Sequence, residues 1–310
     1  RKSTIKNGEW ILKKTQCLSS EKNVKRREKA AIVNELRQKY PLKDLLQLSG
    51  LARSTFYYYI QHPIKDKYKK EKQEILYIFL ANKGRYGYRR ILIVLRQKGY
   101  TINHKTVLKL MKELNLKGKQ RKNSKYRSYK GEIGKIADNL LNREFAATKP
   151  FEKLATDVTE FKVCNDKVYL SPVMDLYNRE IVSYSISLSP NLQQIREMLD
   201  GLFKKLPANA KPLFHSDQGW QYQHSEYQRL LSEHNIVQSM SRKGNCMDNG
   251  AMENFFGRLK VEMFYGEKFE SVKAFIDELK RYIDYYNNER ISLKLKGMSP
   301  VQYRTHSQAS

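Results

Sequence analysis

The chain has 310 residues, with 59 Lys and Arg against 32 Asp and Glu, and a formal charge of +27 at pH 7. Such an excess favours a polyanionic partner, nucleic acid first; no apolar run approaches the roughly 18 residues that cross a bilayer, and no signal-peptide pattern opens the chain. A soluble, cytoplasmic protein without a membrane role is expected, and Cys17, Cys164 and Cys246 lie far apart with no CxxC pair, which argues against a disulfide framework or a cysteine-based zinc site.

Residues 1–30 are polar and basic and are read as an extension. From Ala31 apolar residues fall at helical spacing: Ile32, Val33 and Leu36, then Leu42, Leu45 and Leu46, then Leu51, Phe56 and Tyr57. Three short helices over 31–62 follow, with a turn at Ser49-Gly50 and with Arg53, Ser54 and Thr55 at the end of the third helix that commonly meets DNA. A second three-helix unit is expected over 71–116. Ile75, Leu76, Ile78, Phe79 and Leu80 lie on its first helix, Gly84-Arg-Tyr-Gly-Tyr-Arg-Arg90 restarts the chain, and His104 to Leu114 form the third. Its candidate DNA contacts are Arg85, Arg89, Arg90 and Lys105. Helical hairpins used for packing or protein contacts are the alternative for both units.

Residues 117–152 lose apolar periodicity and carry Lys117-Gly-Lys-Gln-Arg-Lys122 and Lys125-Tyr-Arg-Ser-Tyr-Lys130. They read as a basic linker, either a solvated tether or one that touches DNA phosphates and bases. From Lys153 to 290 the texture becomes α/β. Strands are expected at Leu154 to Val163, Val168 to Asp175 and Glu180 to Leu188, followed by a helix around Leu192 to Phe203. A strand at Pro212 to His215, a helix from Ser225 to His234 and a strand at Ile236 to Met240 come next, and the remainder from Asp248 is helical. That order describes a mixed five-stranded sheet flanked by helices, with residues 291–310 as a tail.

Three carboxylates stand out. Asp157 lies in Leu154-Ala-Thr-Asp-Val-Thr-Glu-Phe161, Asp217 ends Pro212-Leu-Phe-His-Ser-Asp217, and Glu253 lies in Asp248-Asn-Gly-Ala-Met-Glu-Asn-Phe-Phe256, with 35 residues between the last two. Phosphodiester chemistry needs an activated nucleophile and a stabilised leaving oxygen, which divalent ions supply, and hard Mg²⁺ takes carboxylate oxygens. Parallel neighbouring strands would bring Asp157 and Asp217 together, with Glu253 arriving on a helix. At about 100° per residue, Lys260 falls about 20° from Glu253, Glu262 about 180° away, and Asp248 about 140° away, better placed as an N-cap. His215 is either a buried structural histidine or an aid to substrate orientation. Trp220 and Tyr222 either stack on a base or cap the core. The polar segment Ser239 to Asn245, with Arg242 and Lys243 as candidate DNA contacts, is either a mobile DNA-positioning loop or an ordinary connection.

At these residues the sequence resembles the DDE transposases of bacterial insertion sequences. Within them it is similar to the integrase-core, copy-out paste-in family encoded by two overlapping reading frames, as a second-frame or fused product. The matching strings are Thr156-Asp-Val-Thr-Glu-Phe161, His215-Ser-Asp-Gln-Gly-Trp-Gln-Tyr222, Gln238-Ser-Met-Ser-Arg-Lys-Gly-Asn-Cys246, Glu253-Asn-Phe-Phe-Gly-Arg-Leu-Lys260 and Tyr282-Ile-Asp-Tyr-Tyr-Asn-Asn288, with Ser299-Pro-Val-Gln-Tyr303. Gly84 to Ile91 and Ser54 to Tyr58 match upstream. The resemblance implies a ribonuclease-H-like α/β catalytic domain preceded by all-α helix-turn-helix domains. It also implies that Asp157, Asp217 and Glu253 are catalytic and hold Mg²⁺, with Mn²⁺ as a substitute, and that Lys260 contacts DNA. The implied reaction is nicking that frees a 3′-OH at an element end, then strand transfer. Double-stranded DNA with terminal inverted repeats, target DNA and a homo-oligomer of at least two copies are the implied partners, in the bacterial nucleoid. The family usually has Trp where this chain has Leu154 and Ala where it has Gly250; residues 1–30 match nothing in it, and the zinc module of retroviral integrases is absent. A non-catalytic DNA-binding protein need not keep the three carboxylates, and a nuclease of the same fold would cut without joining.

Overall fold

The computed structural model describes residues 26–62, 66–120, 136–242 and 245–309. The chain divides into two compact units, residues 1–69 and 70–310. In the first, helices α1 (Arg26–Leu36), α2 (Leu42–Ser49) and α3 (Arg53–Gln61) enclose Ala30, Val33, Leu36, Leu45, Leu46, Leu51 and Phe56. Gly50 ends α2 at φ 64°, the left-handed conformation glycine adopts without a Cβ penalty, and Leu51 N–H returns to Leu46 O at 3.2 Å. Helix α1 starts at Arg26, so it takes in the last residues of the segment read as an extension.

The second unit begins with α4 (Lys69–Ala81), α5 (Tyr88–Gln97) and α6 (His104–Glu113), whose buried face is Ile75, Ile78, Ile91, Leu92, Leu95, Val107, Leu110 and Met111. Asn103 caps α6 by accepting from Lys105 N–H at 2.9 Å. Leu76 and Leu80, expected on the apolar side of α4, are exposed.

Six strands follow: β1 (Lys153–Thr156), β2 (Thr159–Val163), β3 (Asp166–Asp175), β4 (Ile181–Ser187), β5 (Leu213–Ser216) and β6 (Val237–Met240). They fill the five positions expected of a ribonuclease-H-like sheet, because the predicted first strand is broken in two. β1 and β2 pair antiparallel with β3 in one unbroken register, Thr156 opposite Val173 and Thr159 opposite Leu170. The gap at Asp157-Val158 therefore faces Pro172 and Ser171, and Pro172 has no N–H to give the ladder. β4 pairs antiparallel with the other edge of β3, while β1–β5 and β5–β6 are parallel.

Alternation along the strands divides the core. Leu154, Val173 and Val182 face α7 (Leu192–Phe203), the short α8 (Trp220–Gln223) and α9 (Ser225–Glu233); Ala155, Met174 and Ile181 face α10 (Gly250–Leu259) and α11 (Val272–Asn288). A Cβ on Gly201 of α7 would lie 2.4 Å from Ser183 Oγ, so glycine there lets helix and sheet close together. Leu154 is fully buried within its cluster. A helix α12 (Pro300–Ala309) occupies the segment read as a tail.

Part of the expected tether belongs to this unit. Residues 136–145 lie along β6: Met240 N–H donates to Asp138 O at 3.2 Å, and Leu140 and Leu141 N–H donate to Ser239 Oγ at 3.0 and 3.2 Å. Residues 121–135 lie outside the described residues. Among the described residues, no helix is long and apolar enough to cross a membrane.

Candidate active site

The parallel register of β1 and β5, Leu154 opposite Phe214 and Ala155 opposite His215, brings Asp157 and Asp217 to the same level just past the ends of adjacent strands. Neighbouring strands lie roughly 4.7–4.9 Å apart, so two partly buried carboxyl groups share one place. Asp157 Oδ1 accepts from Val158 N–H at 2.8 Å and Asp217 Oδ1 from Gly219 N–H at 2.9 Å, which leaves Oδ2 of each outside those bonds. Burial raises both carboxyl groups above the usual carboxylate range. Asp157 is raised well above it, next by the charge of Asp217 and then by that of Glu253, against the opposing Val158 N–H and Lys260.

Helix α10 carries Glu253 and is reached through a 3₁₀ turn, Cys246–Asn249. Asn249 pins that turn to β1 by donating from Nδ2 to Thr156 O at 3.1 Å, one residue before Asp157. Asp248 is not the N-cap expected. The 3₁₀ entry turns it inward, fully buried, where Arg143 Nε at 2.7 Å, Arg242 Nε at 2.9 Å and Asn139 Nδ2 at 3.0 Å donate to its carboxylate. These bonds, led by Arg242, hold it well below the usual range.

After α10 the helix widens into a single π turn, Lys260–Phe264, a feature frequent at functional sites. Lys260 sits at its start with Nζ 5.3 Å from the Phe161 ring centre. Burial lowers its pKa while Asp157 and Glu160 pull it up, so it lies within the field of Asp157. Glu262 points the other way, also as predicted. It receives Arg290 Nε at 2.8 Å, Arg290 Nη2 at 2.6 Å, Arg90 Nη1 at 3.2 Å and Tyr282 Oη at 3.0 Å. Its pKa is held at about 2, burial opposing and Arg290 and Arg90 prevailing.

Behind the aspartates the side chains are structural. His215 is buried between Ser239 Oγ (2.9 Å from Nδ1) and Ser241 Oγ (3.1 Å from Nε2), and burial lowers it to about 4, so the imidazole is neutral near pH 7 and ties β5 to β6. Tyr222 is a core residue, with Oη 3.4 Å from Thr156 Oγ1, whereas Trp220 is exposed.

The expected DNA contacts separate by burial. Arg53 and Ser54 are exposed on the first turn of α3 with Thr55 partly so; Arg53 reaches the Tyr57 ring at 5.9 Å. Arg89 and Lys105 are also exposed. Arg85 is not available: it is buried, donates to Glu262 O at 3.2 Å and lies 4.6 Å from the Tyr285 ring centre. Arg90 is committed to Glu262 in the same way. Both are surface cations by sequence, yet these two arginines of the Gly84-to-Arg90 segment turn inward toward Glu262 and the tyrosines of α11, while Arg89 stays exposed. Arg242 is exposed but paired with Asp248, and Lys243 lies outside the described residues. Asn249, Arg143 and Arg290 are not singled out by sequence; Asn249 is visible inside the string quoted around Glu253, whereas the other two act through partners more than 25 residues away.

Models of an integrase core domain match residues 147–246 and 253–307, and a model of an HTH-like domain matches residues 65–124. The chain is 52% identical over 277 residues to InsK, the transposase named for insertion sequence element IS150 of Escherichia coli, covering 89% of this chain and 98% of that one. It is 57% identical over 206 residues to an uncharacterized transposase-like protein of Haemophilus influenzae, covering 66% and 94%. With the InsF transposase of insertion sequence IS3A of Escherichia coli it shares 30% identity over 289 residues, covering 91% and 100%. Among solved structures, a chain of the simian T-cell lymphotropic virus intasome aligns over 73% of each chain with a TM-score of 0.44 and 15% identity.

Proposed function

The chain belongs to the insertion-sequence transposases with an integrase core, and on that premise we propose that Asp157, Asp217 and Glu253 are its catalytic set. Its activity is DNA transposition and integration. The reaction proposed is hydrolysis that frees a 3′-OH at an element end, then attack of that 3′-OH on a second phosphodiester. Acting on two ends calls for at least two copies, and the work lies on DNA in the bacterial cytoplasm, at the nucleoid.

The observation that carries this reading is the aspartate pair, level with each other at the ends of two parallel strands. Two partly buried carboxyl groups, the charge of one opposing ionisation of the other and each with an oxygen outside its backbone bond, suit a hard divalent cation. Among the described residues no three His, Cys, Asp or Glu side chains are gathered as a ready metal cluster; the donors that fit are the two aspartates, with Glu253 acting on Asp157 through space. Mg²⁺, or Mn²⁺ in its place, would be held there and when bound supplies activation of the attacking oxygen and stabilisation of the leaving one.

The remaining roles belong to side chains. Lys260 holds a DNA phosphate beside the aspartates, and Asn249 fixes the distance between β1 and the helix that carries Glu253. Neutral His215 braces the strand that presents Asp217 and moves no proton. Arg53, Ser54, Thr55, Arg89 and Lys105 are proposed to bind the terminal inverted repeats, and target DNA enters at the carboxylates. The test is a strand-transfer assay with the element's own ends and Mg²⁺. Asp157→Asn, Asp217→Asn and Glu253→Gln each abolish nicking and joining while end binding survives; undiminished joining by any of the three overturns the site.

A further inference from the structure

Arg258 lies five residues beyond Glu253, about 140° around the helix, and borders a different feature. A cavity of about 210 Å³ there is walled by Arg179, Asn254, Arg258, Tyr286, Arg290 and Lys294, among others, and none of the described residues lining it is acidic. Tyr286 is buried with Arg290 5.5 Å from its ring centre, and the charges of Arg258 and Arg179 act on the same hydroxyl. Three guanidinium groups thus gather around one tyrosine.

They are not equivalent. Arg290 is committed to both oxygens of Glu262. Arg258 and Arg179 form no ion pair among the described residues; Asp175 and Glu262 act on them only through space, and Glu262 is already claimed. Burial and neighbouring arginines press both away from the charged form. Arg179 also holds a left-handed backbone, φ 66°, in the β3–β4 hairpin, a conformation that glycine or asparagine adopts more readily. Like charges brought together without an ion-paired acid destabilise the free protein, and an anion in the cavity reverses the sign. DNA, the polymer this transposase works on, offers one phosphate per nucleotide.

We propose that Arg179 and Arg258, with Lys294 at the rim, form a subsite for a backbone phosphate of DNA, separate from the carboxylate centre and on another side of the helix that carries Glu253. The proposal rests on the DNA-transposition reading but on none of the three carboxylates. It gives the helix a phosphate contact on each of two sides, Lys260 on one and Arg258 on the other.

The test is equilibrium binding of the full chain, without divalent metal, to an element-end duplex and to an unrelated duplex across a salt series. Each phosphate that the protein no longer neutralises makes the slope of log K against log salt shallower by about 0.9. Arg258→Gln and Arg179→Gln together are expected to weaken binding about tenfold near 0.1 M salt and to flatten the slope by about 0.9, while Arg258→Lys and Arg179→Lys together keep it. Flattening with the end duplex alone assigns the subsite to the element end, and flattening with both assigns it to any duplex. A structural role predicts a lower unfolding temperature for the Gln variants; relief of like-charge repulsion predicts none. Wild-type binding with unchanged slopes in both variants overturns the proposal, and failure of the wild type to bind either duplex overturns the DNA reading with it.

Discussion

Four of the carboxylates withdrawn from water in the larger unit divide into two pairs. Asp248 and Glu262 each pair with two arginine side chains and titrate below the ordinary range; Asp157 and Asp217 accept from backbone N–H groups, form no ion pair among the described residues, and titrate above it. Burial alone raises all four, so the sign is set by the partner. The paired acids are fastenings: one holds residues 139–143 to the turn before α10, the other holds α5, α11 through Tyr282, and Arg290 just beyond α11 to the turn after it. The unpaired acids are an electrostatic debt left standing beside a helix fastened at both ends, the pattern expected where a protein reserves a place for a cation.

The largest expected effect comes from breaking a fastening. Glu262→Gln leaves Arg290 charged, buried and without its acid, and should cost about 3–5 kcal/mol of stability, read by urea unfolding. A loss under about 1 kcal/mol would mean the network is solvated and the comparison overdrawn. Acid offers a second route to the same loss. Glu262 falls to about 2 in the folded chain against about 4.3 unfolded, so its contribution, on the order of 3 kcal/mol, is fully present above pH about 4.3. It is lost as pH falls through about 2. Between about pH 5 and about pH 2.5 the wild type should therefore lose stability more steeply than Glu262→Gln; parallel curves would remove Glu262 as the cause.

The other pair should behave in the opposite sense. Asp157→Asn and Asp217→Asn each keep an oxygen for the backbone N–H and remove one of two repelling charges, so each should leave the thermal midpoint unchanged or raise stability by about 1 kcal/mol while strand transfer is abolished. Mg²⁺ sharpens the contrast. At a concentration about 100 times its dissociation constant it should stabilise the wild type by about 2.7 kcal/mol and the Asp157→Asn, Asp217→Asn double variant hardly at all, by differential scanning fluorimetry. Equal stabilisation of both would place the ion elsewhere.

Much of this division is legible in the sequence, and the reasons are local. Asp157 and Asp217 are read correctly as strand-end neighbours because alternation and turn residues define short strands. Lys260 and Glu262 are assigned to opposite sides by helix geometry, and the structure agrees. The fastenings are not legible. Nothing near Arg85 or Arg90 says that they turn inward, since the acid that holds Arg90 lies 172 residues further on and the Tyr285 ring beside Arg85 lies as far along the chain. Asp248 reads as a cap because a 3₁₀ turn, invisible to a 3.6-residue count, precedes α10. Local periodicity reports faces; it does not report which distant chain covers them.

The smallest effect tests whether the fastened helix tolerates change. Gly250 opens α10 at φ −58° and ψ −19°, ordinary helical values, and a Cβ added there meets nothing within 4 Å. Glycine is therefore not needed for space or for backbone freedom, and Gly250→Ala should add about 0.5–1 kcal/mol by reducing the freedom of the unfolded chain. Because Asp248 and Glu262 already set where the helix lies, joining should be unaltered. A gain in stability accompanied by slower joining would show instead that the first turn of α10 must yield for Glu253 to reach the aspartates, and that the fastening at Asp248 is looser than its bonds suggest.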